Sequence, residues 1–126
     1  MNFFLISAGI ISSLTAFGHF TFGRKAYLSP MLESSFDKNA KNTMHTAYHY
    51  ISVFLVLTSG ALVGVGLNDQ VVASAELMVK FISLNFFGFA FWQLGQAMGS
   101  KFSKGIFKPL QWTFFVAVAL LSWFGS

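Results

Sequence analysis

Long apolar runs separated by short polar breaks set the pattern of this chain. The first run, 2–22, reads NFFLISAGIISSLTAFGHFTF and gives way to Gly23-Arg24-Lys25. A polar stretch follows, RKAYLSPMLESSFDKNAKN, where Pro30 is expected to break a helix and Glu33, Asp37, Lys38 and Lys41 favour water. The second run covers 43–66 and ends in LNDQ at 67–70, whose Asn and Asp signal a turn. The third, 72–98, confines Glu76 and Lys80 to its first turns, and GSKFSKGIFKP at 99–109 is the next break. The fourth occupies 109–124, with Pro109 suited to a first helical turn. A hydrocarbon core about 30 Å thick takes roughly 20 apolar residues at about 1.5 Å each. The pattern therefore predicts an all-α chain, one integral membrane domain of four transmembrane helices. Short connections make sequence neighbours antiparallel, which gives an up-down bundle.

Composition narrows this further. The chain has 126 residues, of which 55% are hydrophobic and only 10% charged, with 17 phenylalanines and a mean hydropathy of +0.64. A soluble domain carries about 25% charged residues, and four spans with their connections leave no room for one. The absence of cysteine excludes disulfides, thiolate metal sites and cysteine nucleophiles.

The net charge of +4 reads as orientation rather than as a nucleic-acid footprint. Arg24, Lys25, Lys38 and Lys41 fall in the first connection and Lys101, Lys104 and Lys108 in the third. These two connections lie on one side of a four-span protein. Seven of the eight basic residues thus share a side, predicted to be cytoplasmic, and only Lys80 stands near the other. The expected location is a bacterial inner membrane, multi-pass, with the lipid bilayer as surroundings and both termini outside the cytoplasm. A cleaved signal peptide would carry its positive charge before the first apolar run, whereas here the charge follows it.

Helices in lipid associate through close backbone approach and interhelical hydrogen bonds. Ala8, Ser12 and Ala16 form a small-residue stripe on the first helix, Gly60 and Gly64 a pair on the second, and Gly88, Gly95 and Gly99 mark the third. These are expected to pack within the chain, with homo-oligomerisation or a membrane-protein partner as the alternative. Asn85 is expected to bond across the bundle. Tyr27, Trp112 and Trp123 suit the aromatic belts of a bilayer interface.

The candidate chemistry is histidine. His45 and His49 are one turn apart on one face of the second helix, and His19 lies near the cytoplasmic end of the first. All three fall at one membrane depth, so three imidazoles could meet. Neutral imidazoles ligate transition metals, three of them leave one position open, and one from each of two helices can serve a haem axially. His19, His45 and His49 are the candidate metal ligands. Gln93 and Gln96, at the same depth on the third helix, are candidates with His19 and His49 for holding a cofactor and orienting the imidazoles. The plain alternative is that the imidazoles hydrogen-bond across helices or face headgroups, as histidine, tyrosine and tryptophan do at interfaces. No phosphate-binding glycine motif, nucleophile elbow or HExxH occurs, and no acid lies inside a span at this depth, so a catalytic residue is not assigned.

GHFTFGRKAYLSPML at 18–32 followed by HTAYHYIS at 45–52 resembles a loose group of small, uncharacterised bacterial four-helix membrane proteins. In that group a Gly-His or Ala-His pair near the end of helix 1 precedes a Gly-Glu and a Pro-Leu, and an aromatic-His pair opens helix 2. Gly18-His19, Gly23, Pro30 and Tyr48-His49 match that outline, whereas Arg24 stands in place of an acid and Tyr48 in place of Trp. The resemblance covers the first half of the chain. It implies a paired role for His19 and His49 and carries no activity with it. Small multidrug transporters and fluoride channels are similar in size. The former depend on a glutamate within helix 1, and a charge bias of seven to one argues against the dual insertion of the latter.

The functional expectation is a cytoplasm-proximal histidine pocket for a transition metal or haem, within a respiratory or metal-handling assembly. The alternatives are a non-catalytic partner or scaffold subunit and, with less polar lining to support it, a small-solute transporter.

Overall fold

The computed structural model describes residues 1–99 and 111–126. The described residues form helices joined by very short connections, with no strand among them. The first continuous helical rod comprises α1 (Phe3–Gly18), a π-helical stretch (His19–Leu28) and α2 (Ser29–Glu33). The second is α3 (Lys38–Leu67). The third comprises α4 (Asp69–Val72), a 3-10 turn (Ala73–Ala75) and α5 (Glu76–Gly99), and α6 (Gln111–Gly125) is the last.

Three of these rods, Phe3–Glu33, Lys38–Leu67 and Gln70–Gly99, are long and apolar enough to cross a membrane. The fourth is a shorter apolar helix in its described part. The third connection, with Lys101, Lys104, Lys108 and the expected helix start at Pro109, lies outside the described residues.

The first two polar breaks are far shorter than the sequence pattern suggests. The expected loop after Phe22 is helical as far as Glu33, and the second helix starts at Lys38 rather than Thr43. Pro30 does not break the helix. Ser29 N–H closes a five-residue bond on Arg24 O, and Pro30 falls in the first turn of α2, where its missing N–H and fixed φ are tolerated. Asp37 then caps α3 by accepting from the N–H groups of Asn39 (2.8 Å) and Ala40 (3.1 Å). The LNDQ turn reduces to one extended residue, Asn68. Its N–H bonds Val65 O at the end of α3 while its side chain accepts from Gln70 N. A single cap residue with partners on both sides is enough to reverse the chain.

α1 is the helix the others pack against: α3 lies along one side of it and α6 along the other, and α5 packs on α6. The α1–α3 register is antiparallel, with Ile6 beside Gly66, Gly9 beside Val63, Ser12 bonded to Ser59 and His19 bonded to Tyr48. The α5–α6 pair is antiparallel as well, through Ser83 to Ala119, Phe86 against Phe115 and Gln93 to Gln111. α3 and α5 meet through Phe54, whose ring lies 5.8 Å from Phe86 and 5.3 Å from Phe89.

Small residues decide which helices touch. After Leu5, the buried face of α1 consists of Ala8, Gly9, Ser12, Thr15 and Ala16. A Cβ on Gly9 would stand 2.5 Å from Val63 Cγ2 and about 3 Å from the backbone of Val63 and Ser59. Gly66 and Gly125 are equally confined by Leu5, Ile6 and Phe4. By contrast, Gly60, Gly64, Gly88, Gly95 and Gly99 have nothing within 4 Å of an added Cβ and face outward. Among the described residues the expected intrachain packing of these glycines is therefore not what occurs, because the close approaches use α1 and the C-terminal parts of α3 and α6.

Asn2 ties together the end of the bundle that carries both termini. Its side chain accepts from Leu5 N (3.2 Å) and donates to Gly125 O (2.8 Å), and its N–H donates to Gly66 O (2.7 Å). One residue caps α1 and satisfies terminal carbonyls of α3 and α6. Deeper in the bundle, Ser12 and Ser59 hydroxyls meet at 2.8 Å and Ser83 donates to Ala119 O at 2.7 Å. The expected cross-bundle role of Asn85 falls to these serines, since Asn85 bonds Phe81 O on its own helix.

Gly9→Ala should lower stability by about 1–3 kcal/mol through overpacking against backbone. Gly18→Ala, with open space around it, should be neutral or gain up to about 1 kcal/mol. Thermal unfolding in detergent, followed by circular dichroism, compares the two.

Candidate functional site

The three histidines occupy two settings. His19 opens the π-helical stretch and is buried. Its ring stacks on Tyr48 at 4.0 Å between centroids, 19° from parallel, and its Nε2 lies 3.2 Å from Tyr48 O. Tyr48 Oη donates in return to His19 O. Gly23, one turn on, makes room for this exchange, since a Cβ there would stand 3.2 Å from Tyr48 Oη and 3.6 Å from His19 Nδ1. π-helical turns cluster at functional sites because they re-aim side chains and backbone carbonyls. Here the stretch joins α1 to α3 by a reciprocal side-chain to backbone pair.

His45 and His49 project from the other side of this contact. His49 is exposed and His45 half-buried. Their Nε2 atoms lie 3.1 Å apart, with ring centroids at 4.9 Å and ring planes 52° apart. Tyr48 stands edge-on to His49 at 5.7 Å, so the ring that stacks on His19 also walls the pair. His49 opens onto a shallow apolar recess of about 300 Å³ lined by Phe20, Ser52, Val53, Val56 and Leu57. The α3 helix begins at Lys38, so His49 lies about 17 Å along it rather than the 9 Å expected from a start at Thr43.

The separation of the two Nε2 atoms has a chemical reading. Imidazole nitrogens bind zinc at about 2.0–2.1 Å, and two of them 3.1 Å apart around one ion subtend roughly 100°, between octahedral and tetrahedral angles. Two axial haem ligands instead stand on opposite faces of the ring, which neighbouring residues on one helix face cannot do. With no metal, the same geometry is a hydrogen bond between one N–H and one lone pair.

The structure thus brings His45 and His49 together and joins His19 to them only through Tyr48. Among the described residues, no three His, Asp or Glu side chains are placed to hold one ion. Gln93 donates from Nε2 to Gln111 Oε1 at 3.2 Å, so its hydrogen bond goes to α6 rather than to an imidazole, and its Oε1 is buried without a partner. Gln96 is exposed on α5. The sequence reading missed the reciprocal use of Tyr48. The one available signal was its position, immediately before His49 and three residues after His45.

Tyr48→Phe removes the bond to His19 O and should cost about 1 kcal/mol of local stability. Hydrogen exchange at the amides of His19–Leu28 should accelerate while α3 and α5 keep their protection.

Comparison with protein families, curated proteins and solved structures finds no match for this chain.

Proposed function

We propose that this chain is an up-down four-helix bundle embedded in a membrane, and that its α3 histidine pair binds a divalent transition-metal ion at the cytoplasmic interface. The membrane reading is supported by an inverted surface. Leu77 is 83% exposed, Phe91 78%, Phe22 75% and Phe17 64%, on rods long enough to cross a hydrocarbon core. Water would not tolerate such faces on a monomer. The core, in turn, holds hydroxyls that bond between helices at Ser12, Ser59 and Ser83, a pattern suited to helices that must attract one another without a hydrophobic driving force.

Orientation follows from charge. Arg24, Lys25, Lys38 and Lys41 all lie on the helical extensions formed by the end of the first rod and the start of α3. A rod of 31 residues is about 46 Å long, some 15 Å more than the hydrocarbon, so this basic hairpin projects into the cytoplasm with the histidines near its base. Both termini then face the other side of a bacterial inner membrane.

The observation that carries the metal reading is the convergence of two accessible Nε2 atoms, 3.1 Å apart, where an ion can be chelated. The ring of Tyr48 holds His49 in place, and its carbonyl holds His19, which makes His19 a positioning residue rather than a ligand. A bound ion would act there as a Lewis acid or as a structural cross-link.

A second reading is favoured by the outward glycines of α3 and α5, which leave close-approach faces open for another membrane protein. On that reading the chain is a non-catalytic partner subunit.

Metal content should be measured by mass spectrometry on tag-free protein reconstituted anaerobically with zinc, iron or copper. A bound ion is expected in the wild type. His45→Ala and His49→Ala should each lose it at least tenfold, while His19→Ala keeps it. Absence of metal under every condition sinks this reading and leaves the partner-subunit one.

A further inference from the structure

A two-histidine chelate leaves a divalent ion short of ligands: structural and catalytic zinc sites take three or four from protein. No third His, Asp or Glu joins His45 and His49 among the described residues. The missing ligands must be brought by something that reaches the same depth on the same face.

That face is continuous. At 3.6 residues per turn, His45, His49, Val53, Val56, Gly60 and Gly64 fall within an arc of about 100° along α3. Val53 is 57% exposed and Val56 50%, and Gly60 and Gly64 have nothing within 4 Å of an added Cβ. α1 packs along one edge of this arc, against Ser59, Val63 and Gly66, and leaves Val53, Val56, Gly60 and Gly64 uncovered.

Resting on the membrane and metal readings above, we propose that a second copy of this chain completes the site, so that one ion is held by His45 and His49 of both copies across a two-fold axis normal to the membrane. Two features select a second copy over a different partner. Copies inserted in the same orientation place identical residues at identical depth, so a two-fold pairing through this face sets each histidine pair opposite its own duplicate. The result is a four-imidazole tetrahedral site, which needs no residue that the chain lacks.

The spacing along α3 fits this arrangement. Residue 47, midway between the histidines, lies fifteen residues, or about 22 Å, from residue 62, midway between the glycines. Helices crossing at a glycine pair approach more closely than the usual separation of about 8–10 Å, at a right-handed angle of about 40°. Their axes would then stand roughly 15–17 Å apart at the histidines. A helix with side chains has a radius of about 5–6 Å, and a metal–nitrogen bond adds about 2 Å, so a shared ion sits about 7–8 Å from each axis. Twice that reach matches the opening.

The experiment uses the full tag-free chain in mild detergent, with zinc alone as the probe. Mass by light scattering and metal stoichiometry are read with zinc and with chelator, on wild type, His45→Ala and Gly60→Leu. Because the chain has no cysteine, Val56→Cys serves as an independent reporter of proximity through disulfide formation in membranes. The expected result is one zinc per two chains and a dimer that dissociates on chelation. His45→Ala should abolish both, Gly60→Leu should weaken zinc binding at least tenfold with the histidines intact, and Val56→Cys should cross-link in a zinc-dependent way. One zinc per monomeric chain overturns the shared site while leaving the metal reading standing. A dimer indifferent to zinc and to His45→Ala also overturns it, and protein that takes up no zinc removes the metal reading as well.

Discussion

The backbone contact between α1 and α3 governs the rest of this structure. Gly9 lies against Ser59 and Val63 so closely that a single added carbon has no place, and Ser12 and Ser59 join hydroxyls beside it. Because α1 also carries α6 on its other side, it must be narrow in two directions, which is why its buried face beyond Leu5 is built from alanine, glycine, serine and threonine. Asn2 then fixes the end that carries both termini by satisfying carbonyls at the ends of both neighbours. The helices are held by proximity and hydrogen bonds, with large side chains left to Phe54, Phe86, Phe89 and Phe115 in the cluster that links α3, α5 and α6.

From that contact the histidine geometry follows. The α1–α3 register places His19 opposite Tyr48, and the π-helical stretch widens just there, so that Tyr48 is bonded to His19 at both its hydroxyl and its carbonyl. Tyr48 thus divides the three imidazoles. One is buried in the helix contact, and two face outward across its edge. A single pocket for all three would require the tyrosine to leave, and with it the bonds that hold the rods together at this level.

The glycines divide in the same manner. Those at Gly9, Gly66 and Gly125 are consumed by contacts within the chain, while those at Gly60, Gly64, Gly88, Gly95 and Gly99 remain open. In the proposed bilayer setting, an open glycine face is a surface where another helix can approach without displacing side chains. The α3 face adds the His45–His49 pair to such a surface, which distinguishes it from the α5 face, where Leu84 and Phe91 flank the glycines.

The sequence by itself determined the helical class and the positions of the apolar runs, because hydrophobic length is a local property that needs no partner. It also gave the one-turn relation of His45 to His49, since residues four apart on any helix share a face. It misjudged Pro30 and the polar stretch around it, because a proline in the first turn after a π-helical segment reads, in one dimension, like any helix breaker. Which glycines are consumed and which stay open was not legible, because every one of them carries the same local signal and only the neighbouring helix decides whether a Cβ would fit. The separation of His19 from the other two was decided in the same way. Equal depth is a matter of counting residues, whereas facing one cavity depends on the register of two helices and on the tyrosine that stands between them.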